Sequence, residues 1–336
     1  MVQPFQFYSI MKKIFSLVSV LFFSQSFIAD VTAQATIESL GNEITISYKV
    51  DSDEVASFLQ TLSSDEMEGR ETGTKGMEKA AGFLEQFLKA NKVKPYFATY
   101  RDTLSTFKEE VAYNVVGFVE GNDPVLKNEF LILSAHFDHI GLNKKEANAD
   151  FVNNGANDDA SGVTAVAEMA KFFSETKTNK RSILVVFFAG EEKGLLGSKH
   201  LAKKLQAQKF NLYSQLNIEM IGVPMKRDYL AYITGFDKSN MAQKINTYTG
   251  KNTIGFLPKE AEFQLFYRSD NYSFFKVFKK PCQSISTFDF ENFEYYHHVS
   301  DEFKAMDISH MTSFIQELLP AVSQMANTST QEIQMK

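Results

Sequence analysis

Histidines and carboxylates at several points stand out in this 336-residue chain, some of them beside an apolar stretch, where a polar side chain needs a reason. His136 opens the run His136-Phe137-Asp138-His139, directly after the apolar Phe130–Ala135. A histidine at a strand end can bind a metal when a partner fixes its other ring nitrogen. Asp138 suits that task, since alternate residues of extended backbone share a face. Asp158 and Asp159 precede a helical pattern, where capping and the helix dipole account for such a pair as well as a metal does. Glu191 and Glu192 follow the strongly apolar Ile183–Phe188. In a cleft, their mutual repulsion would be relieved by cations or by protonation. Glu219 lies between Ile218 and Met220, and burying its charge unpaired would be expensive, so a cation partner is expected. Tyr296-His297-His298-Val299-Ser300-Asp301 adds imidazoles near the C-terminal end. With Cys282 the sole cysteine, a Cys-based zinc site and an intramolecular disulfide are both excluded.

The elements that must carry these residues are legible in the hydrophobic pattern. Met77, Ala80, Ala81, Leu84, Phe87 and Leu88 recur at helical spacing. Residues 114–120 read as a strand ending in the turn Gly121-Asn122-Asp123-Pro124. Residues 130–135 and 183–188 have the unbroken apolar character of strands buried on both faces. Helices are expected over 162–173, 195–205, 241–249 and 303–326, and strands over 215–220, 229–234 and 283–290. Residues 37–50 alternate loosely, as a strand or a lead-in. Alternating strands and helices imply an α/β fold, a mainly parallel mixed central sheet flanked by helices on both faces. No internal repeat or linker interrupts the pattern, so residues 36–336 are expected to form a single domain. Sites in such sheets form at the carboxyl ends of the strands, where the residues above fall.

Taken together, His136-Phe137-Asp138-His139, Gly155-Ala156-Asn157-Asp158-Asp159-Ala160-Ser161-Gly162 and Gly190-Glu191-Glu192-Lys193-Gly194 resemble the M28 family of zinc peptidases, which includes bacterial leucyl aminopeptidases. The segment Ser64–Thr74 is similar to the family's N-terminal region, and the resemblance extends from Ser64 onward. It implies two Zn²⁺ per chain. His136 and Glu219 would hold one, Glu192 and His297 the other, and Asp158 would bridge them. Asp138 would orient His136, Glu191 would be the general base for a metal-bound hydroxide, and the Asp158–Asp159 peptide would be cis. The implied activity is removal of N-terminal residues from peptide substrates. Imidazole and carboxylate are suitable zinc ligands, and such metals acidify water and polarise the scissile carbonyl.

Three positions depart from the family pattern. Glu219 stands where Asp is commoner. His298 follows His297, which is preferred because an Asp, here Asp301, comes four residues later. Tyr267-Arg268-Ser269-Asp270-Asn271 resembles a segment lining the substrate site, with Asn271 in place of the usual His. Asp270 is carried over as substrate-binding, and Arg268 could meet a substrate carboxylate or make a surface ion pair. Three other functions remain open: a single-zinc glutaminyl cyclase of the same fold, a carboxypeptidase of the same family, since the metal site does not fix which end is read, and a non-catalytic exported binding protein on the same scaffold. Cyclases typically place Trp in the pocket, and this chain has none.

The formal net charge of −6 argues against a nucleic-acid partner, which needs a basic face. At the N-terminus, Lys12 and Lys13 precede an apolar run, Ile14 to Phe27, and then Ala33-Gln34-Ala35. That is the layout of a cleaved secretory signal over residues 1–35. The run is short and interrupted by Ser, which argues against a membrane span. No stable membrane association is expected, and the mature chain, starting near Thr36, is expected to be periplasmic or secreted.

Overall fold

Parallel strands buried on both faces dominate the middle of the sheet in the computed structural model, which describes residues 37–40, 43–104, 112–143 and 150–336. The proposed signal segment and its cleavage site lie outside the described residues. A small hairpin, β1 (Ile37–Leu40) and β2 (Glu43–Ile46), precedes α1 (Ser52–Leu62) and α2 (Lys75–Ala90). The short strands β3 (Lys94–Pro95) and β4 (Arg101–Thr103) lead into β5 (Tyr113–Val119) and β6 (Phe130–His136). Then come α3 (Gly162–Thr176), β7 (Ser182–Phe188), α4 (Leu196–Ala207), β8 (Leu212–Glu219) and β9 (Ala231–Ile233). The chain continues through α5 (Met241–Thr249), β10 (Ile254–Gly255), α6 (Pro258–Glu262), α7 (Asn271–Phe278), β11 (Cys282–Ser286) and α8 (Ile308–Asn327).

The large sheet has the order β10-β9-β11-β8-β6-β7-β5-β3, with β4 also pairing with β5. Its centre, β7-β6-β8-β11, is parallel. Both margins turn antiparallel, β5 against β7 and β9 against β11. The expected mixed α/β sheet is therefore present, with a parallel middle. Alternate residues of its central strands feed two cores: Leu131, Leu133, Val185 and Phe187 face one, Ile132, Leu184, Val186 and Phe188 the other. Helices α1, α2, α3, α5 and α8 cover the first face, while α4 and α7 cover the second.

Several elements differ in extent from the sequence pattern. The closing helix begins at Ile308 rather than 303 because the Asp307 carboxylate caps it, accepting from His310 N. Residues 303–305 form a separate 3₁₀ turn. The strand expected over 283–290 ends at Ser286, and the one expected over 229–234 narrows to three residues.

Candidate metal centre

His136 is the last residue of β6 and Glu219 the last of β8. Ser134 pairs with Asn217 in the parallel register, so both side chains emerge at one level of the sheet's carboxyl edge. Glu191 and Glu192 follow β7 at the same edge, because His136 is level with Phe188. Asp158 arrives from the turn that feeds α3. That turn starts at Gly155, whose φ of +54° and contacts leave no room for a side chain: a Cβ would lie 2.6 Å from the His139 ring. The Asp158–Asp159 peptide is cis.

These side chains gather into two groups that share Asp158. In the first, His136 Nε2 lies 3.2 Å from Asp158 Oδ1 and 3.7 Å from Glu219 Oε2. In the second, His297 Nε2 lies 3.1 Å from both Asp158 Oδ2 and Glu192 Oε1. His139 joins that second group, with Nδ1 3.2 Å from Glu192 Oε1 and 3.8 Å from Asp158 Oδ2. The ligand atoms of each group all fall within 4.8 Å of one another. His298, by contrast, turns its Nδ1 to accept from Ser300 N and is exposed.

A hydrogen-bonded scaffold fixes this geometry. Arg70 is fully buried and donates to the carbonyls of Leu62, Phe137, Asn154 and Gly155, tying the ends of β6 and of the Asp158 turn together. Burial lowers its guanidinium to about 10, against the pull of Asp301, Asp158, Asp138 and Asp159. The Asp301 carboxylate accepts from Asn157 N at 2.7 Å and Asp158 N at 3.1 Å, linking the His297 loop to the same turn. Asp159 accepts from Met220 N and Gly162 N, joining β8 to α3. Glu219 is held by Ser269, which donates to its Oε1 at 2.5 Å.

The structure re-sorts some roles suggested by the sequence. His136 Nδ1 is 3.1 Å from the Asp138 carbonyl oxygen, while the Asp138 carboxylate is 3.7 Å away, beyond hydrogen-bond length. That carboxylate accepts instead from Glu191 N and the Thr72 hydroxyl. Asp270 is fully buried and does not line the cavity, and burial pushes its carboxyl up to about 7. Arg268 is exposed and lines the cavity. Asn271 donates to the carbonyls of Phe266 and Cys282, a packing role inside the fold. Sequence reasoning overlooked His139 as a donor, although it shares a motif with His136. It also overlooked Tyr296, whose ring stacks on His297 with centroids 4.0 Å apart.

The residues fit a divalent metal. Asp158 Oδ2 is buried and accepts no hydrogen bond, although His297 Nε2 is only 3.1 Å away, so the pair is close without being aligned. Burial works against charge at Asp158, yet His136 and His297 hold its carboxyl well below the usual range. Against its own burial, His136 is pushed well above the usual imidazole range, chiefly by Glu219. Asp158 and Glu192 push His297 up to about 10. The carboxylates thus demand positive charge, which a cation among nitrogen and oxygen donors supplies. Glu191 makes no contact in either group, and burial raises its carboxyl well above the ordinary range. Apart from the fully buried His139, these residues line a cavity of about 510 Å³ whose other walls include Met220, Leu265, Tyr267, Phe288, Phe290 and Tyr296.

Comparison with known proteins agrees with this chemistry. The model of peptidase family M28 matches residues 114–322. A probable zinc metalloprotease of Pyrenophora teres f. teres is 36% identical over 109 residues, 32% of this chain and 22% of that protein. Aminopeptidase YwaD of Bacillus subtilis is 24% identical over 154 residues, 46% of this chain and 31% of that protein. The matches thus span less than a third of the length of these relatives. Among solved structures, the Legionella pneumophila LapA aminopeptidase has a TM-score of 0.62 at 20% identity, covering 83% of this chain and 73% of that one. A Porphyromonas gingivalis glutaminyl cyclase has the same TM-score at 18% identity, covering 82% and 99%. At these identities the structural likeness speaks for the fold alone.

Proposed function

Because this chain belongs to peptidase family M28, we propose that it is a zinc-dependent aminopeptidase, hydrolysing the N-terminal residue from peptides at the centre built around Asp158. The observation that carries this reading is the pair of donor groups sharing one carboxylate, with Glu191 lining the same cavity but belonging to neither group. His136, Asp158 and Glu219 would hold one zinc ion, and Glu192, His297 and Asp158 would hold another. Bound zinc supplies Lewis-acid polarisation of the scissile carbonyl and acidification of the attacking water.

The chain's own residues do the rest. Glu191 takes a proton from the water and returns it to the leaving amine, work suited to a carboxyl whose affinity for protons is raised. Asp138 acts through Glu191, holding its backbone N–H at 3.1 Å. The aromatic wall excludes water and receives an apolar side chain, and the surrounding carboxylates favour a substrate's α-ammonium group. The test is a panel of aminoacyl-p-nitroanilides with zinc analysis of the same preparation. Zinc-dependent release of nitroaniline is expected. Cyclisation of N-terminal glutamine without hydrolysis would instead favour the cyclase, and zinc binding with neither activity a binding protein.

Export belongs to the same proposal: residues 1–35 direct secretion and are removed, leaving residues 36–336 as one domain. Mass spectrometry of protein from the native host should give a start near Thr36. A chain retaining Met1 in a membrane fraction would overturn it.

A further inference from the structure

The two metal groups are not equivalent. Three residues, His136, Asp158 and Glu219, form the first, whereas four, His139, Asp158, Glu192 and His297, form the second. In the second group, His297 Nε2 is 3.1 Å from each of two carboxylate oxygens, and His139 Nδ1 is 3.2 and 3.8 Å from the same two. A tetrahedron with zinc–ligand bonds of about 2.0–2.1 Å has neighbouring donors about 3.3 Å apart. Three of this group's six edges are close to that length, and a fourth, from His139 Nδ1 to Asp158 Oδ2, is longer at 3.8 Å. A hydrogen bond from His139 to Glu192 would explain the 3.2 Å contact but not the approach of the same nitrogen to Asp158 Oδ2. The imidazole is also a built feature. Its side chain is fully buried, it meets His297 edge-on at 5.6 Å between centroids, and Gly155 leaves the space its ring occupies.

Resting on the zinc reading above, we propose that His139 is a fourth protein ligand of the Glu192–His297 site. That site is then closed and holds the more tightly bound ion, while the three-residue His136 site keeps an open position for water and substrate. Closed four-ligand sites are the structural arrangement of zinc, and three protein ligands with a free position the catalytic one. The second ion's main task becomes fixing Asp158 and the His297 loop.

The experiment adds one equivalent of Zn²⁺ to the metal-free protein and counts imidazoles around it by X-ray absorption. Two are expected in the wild type, from His139 and His297. One would overturn the proposal, since it would place the first ion in the His136 site or leave His139 out. In a competition titration with a chromophoric chelator, His139→Asn should weaken the tighter ion more than about 100-fold, beyond the 10–100-fold typical of a residue that only hydrogen-bonds to a ligand. An unchanged affinity in a variant of native circular dichroism would also overturn it. The wild-type count does not depend on that variant folding. Failure of the aminopeptidase reading looks different, as absent hydrolysis with the imidazole count unaffected.

Discussion

Glu191 and Glu192 are neighbours in sequence, yet they meet different surroundings. Glu192 faces two imidazoles, whereas Glu191 belongs to neither donor group and lines the cavity, its carboxyl raised above the ordinary range by burial. Replacing Glu191 by Gln keeps the shape of the side chain and removes its basicity. General acid–base catalysis contributes roughly 10²–10⁴-fold, so kcat should fall by about that factor, with KM and zinc content little changed. Steady-state kinetics beside metal analysis reads this out, and near-normal kcat in Glu191→Gln would remove the residue from the mechanism. A charge beside a buried strand is costly and so conspicuous, but residue types alone were weak signals, and the expected donor set came from the resemblance of three motifs to the M28 family. His139 was not conspicuous: only the folded turn at Gly155 brings it against Glu192. Asp138 was read correctly as near His136, but sequence could not tell that its carbonyl, not its carboxylate, faces the ring.

Among the elements, α3 serves two purposes. Its first turn is set by Asp159 and Gly162 at the metal centre, while its middle buries Glu168 with neither carboxylate oxygen hydrogen-bonded. Burial pushes Glu168 up to about 7; Lys171 opposes this, and Glu54, Glu175 and Asp51 add to it. Lys171 is itself paired with Glu54. A carboxyl whose folded pKa is raised binds its proton more tightly in the native state. Its stabilising contribution is complete below the unfolded value of 4.5 and is lost as pH rises through about 7. The loss is on the order of 3 kcal/mol at pH 8. Glu168→Gln should therefore be more stable than wild type in urea at pH 8, by about 1–3 kcal/mol, with a smaller gap at pH 5.5. A gap independent of pH would mean Glu168 is not the titrating group. Sequence periodicity found α3 and the central strands because they are long and strongly apolar. It missed α1 and α7, whose mixed polarity carries little periodic signal, and the marginal strands β3, β4 and β10, whose two or three residues only tertiary pairing defines.

At the scale of the molecule, the centre is where separate parts of the chain converge: the ends of β6, β7 and β8, the turn before α3 and the loop carrying His297. They bring Asp158, Glu191, Glu192 and Glu219 to one cavity in a chain already carrying a net charge of −6. Hydrogen bonds from Arg70 and to Asp301 hold the backbone there, but among the described residues no lysine or arginine pairs with Asp158, Glu192 or Glu219. On the proposed zinc reading, bound metal would balance these carboxylates, and its binding would be coupled to folding. A ligand bound only by the native state stabilises it by about 4 kcal/mol at a thousandfold excess over its Kd. In a chain of this size each kcal/mol moves Tm by roughly 2 °C, so a chelator should lower Tm by about 8 °C. Zinc should restore it, whereas magnesium, which prefers oxygen ligands in octahedral geometry, should not. Differential scanning calorimetry with and without chelator makes the measurement. A Tm indifferent to the chelator would mean that the hydrogen-bonded scaffold and protonation of the carboxylates suffice to hold the site, and that zinc is not linked to the fold.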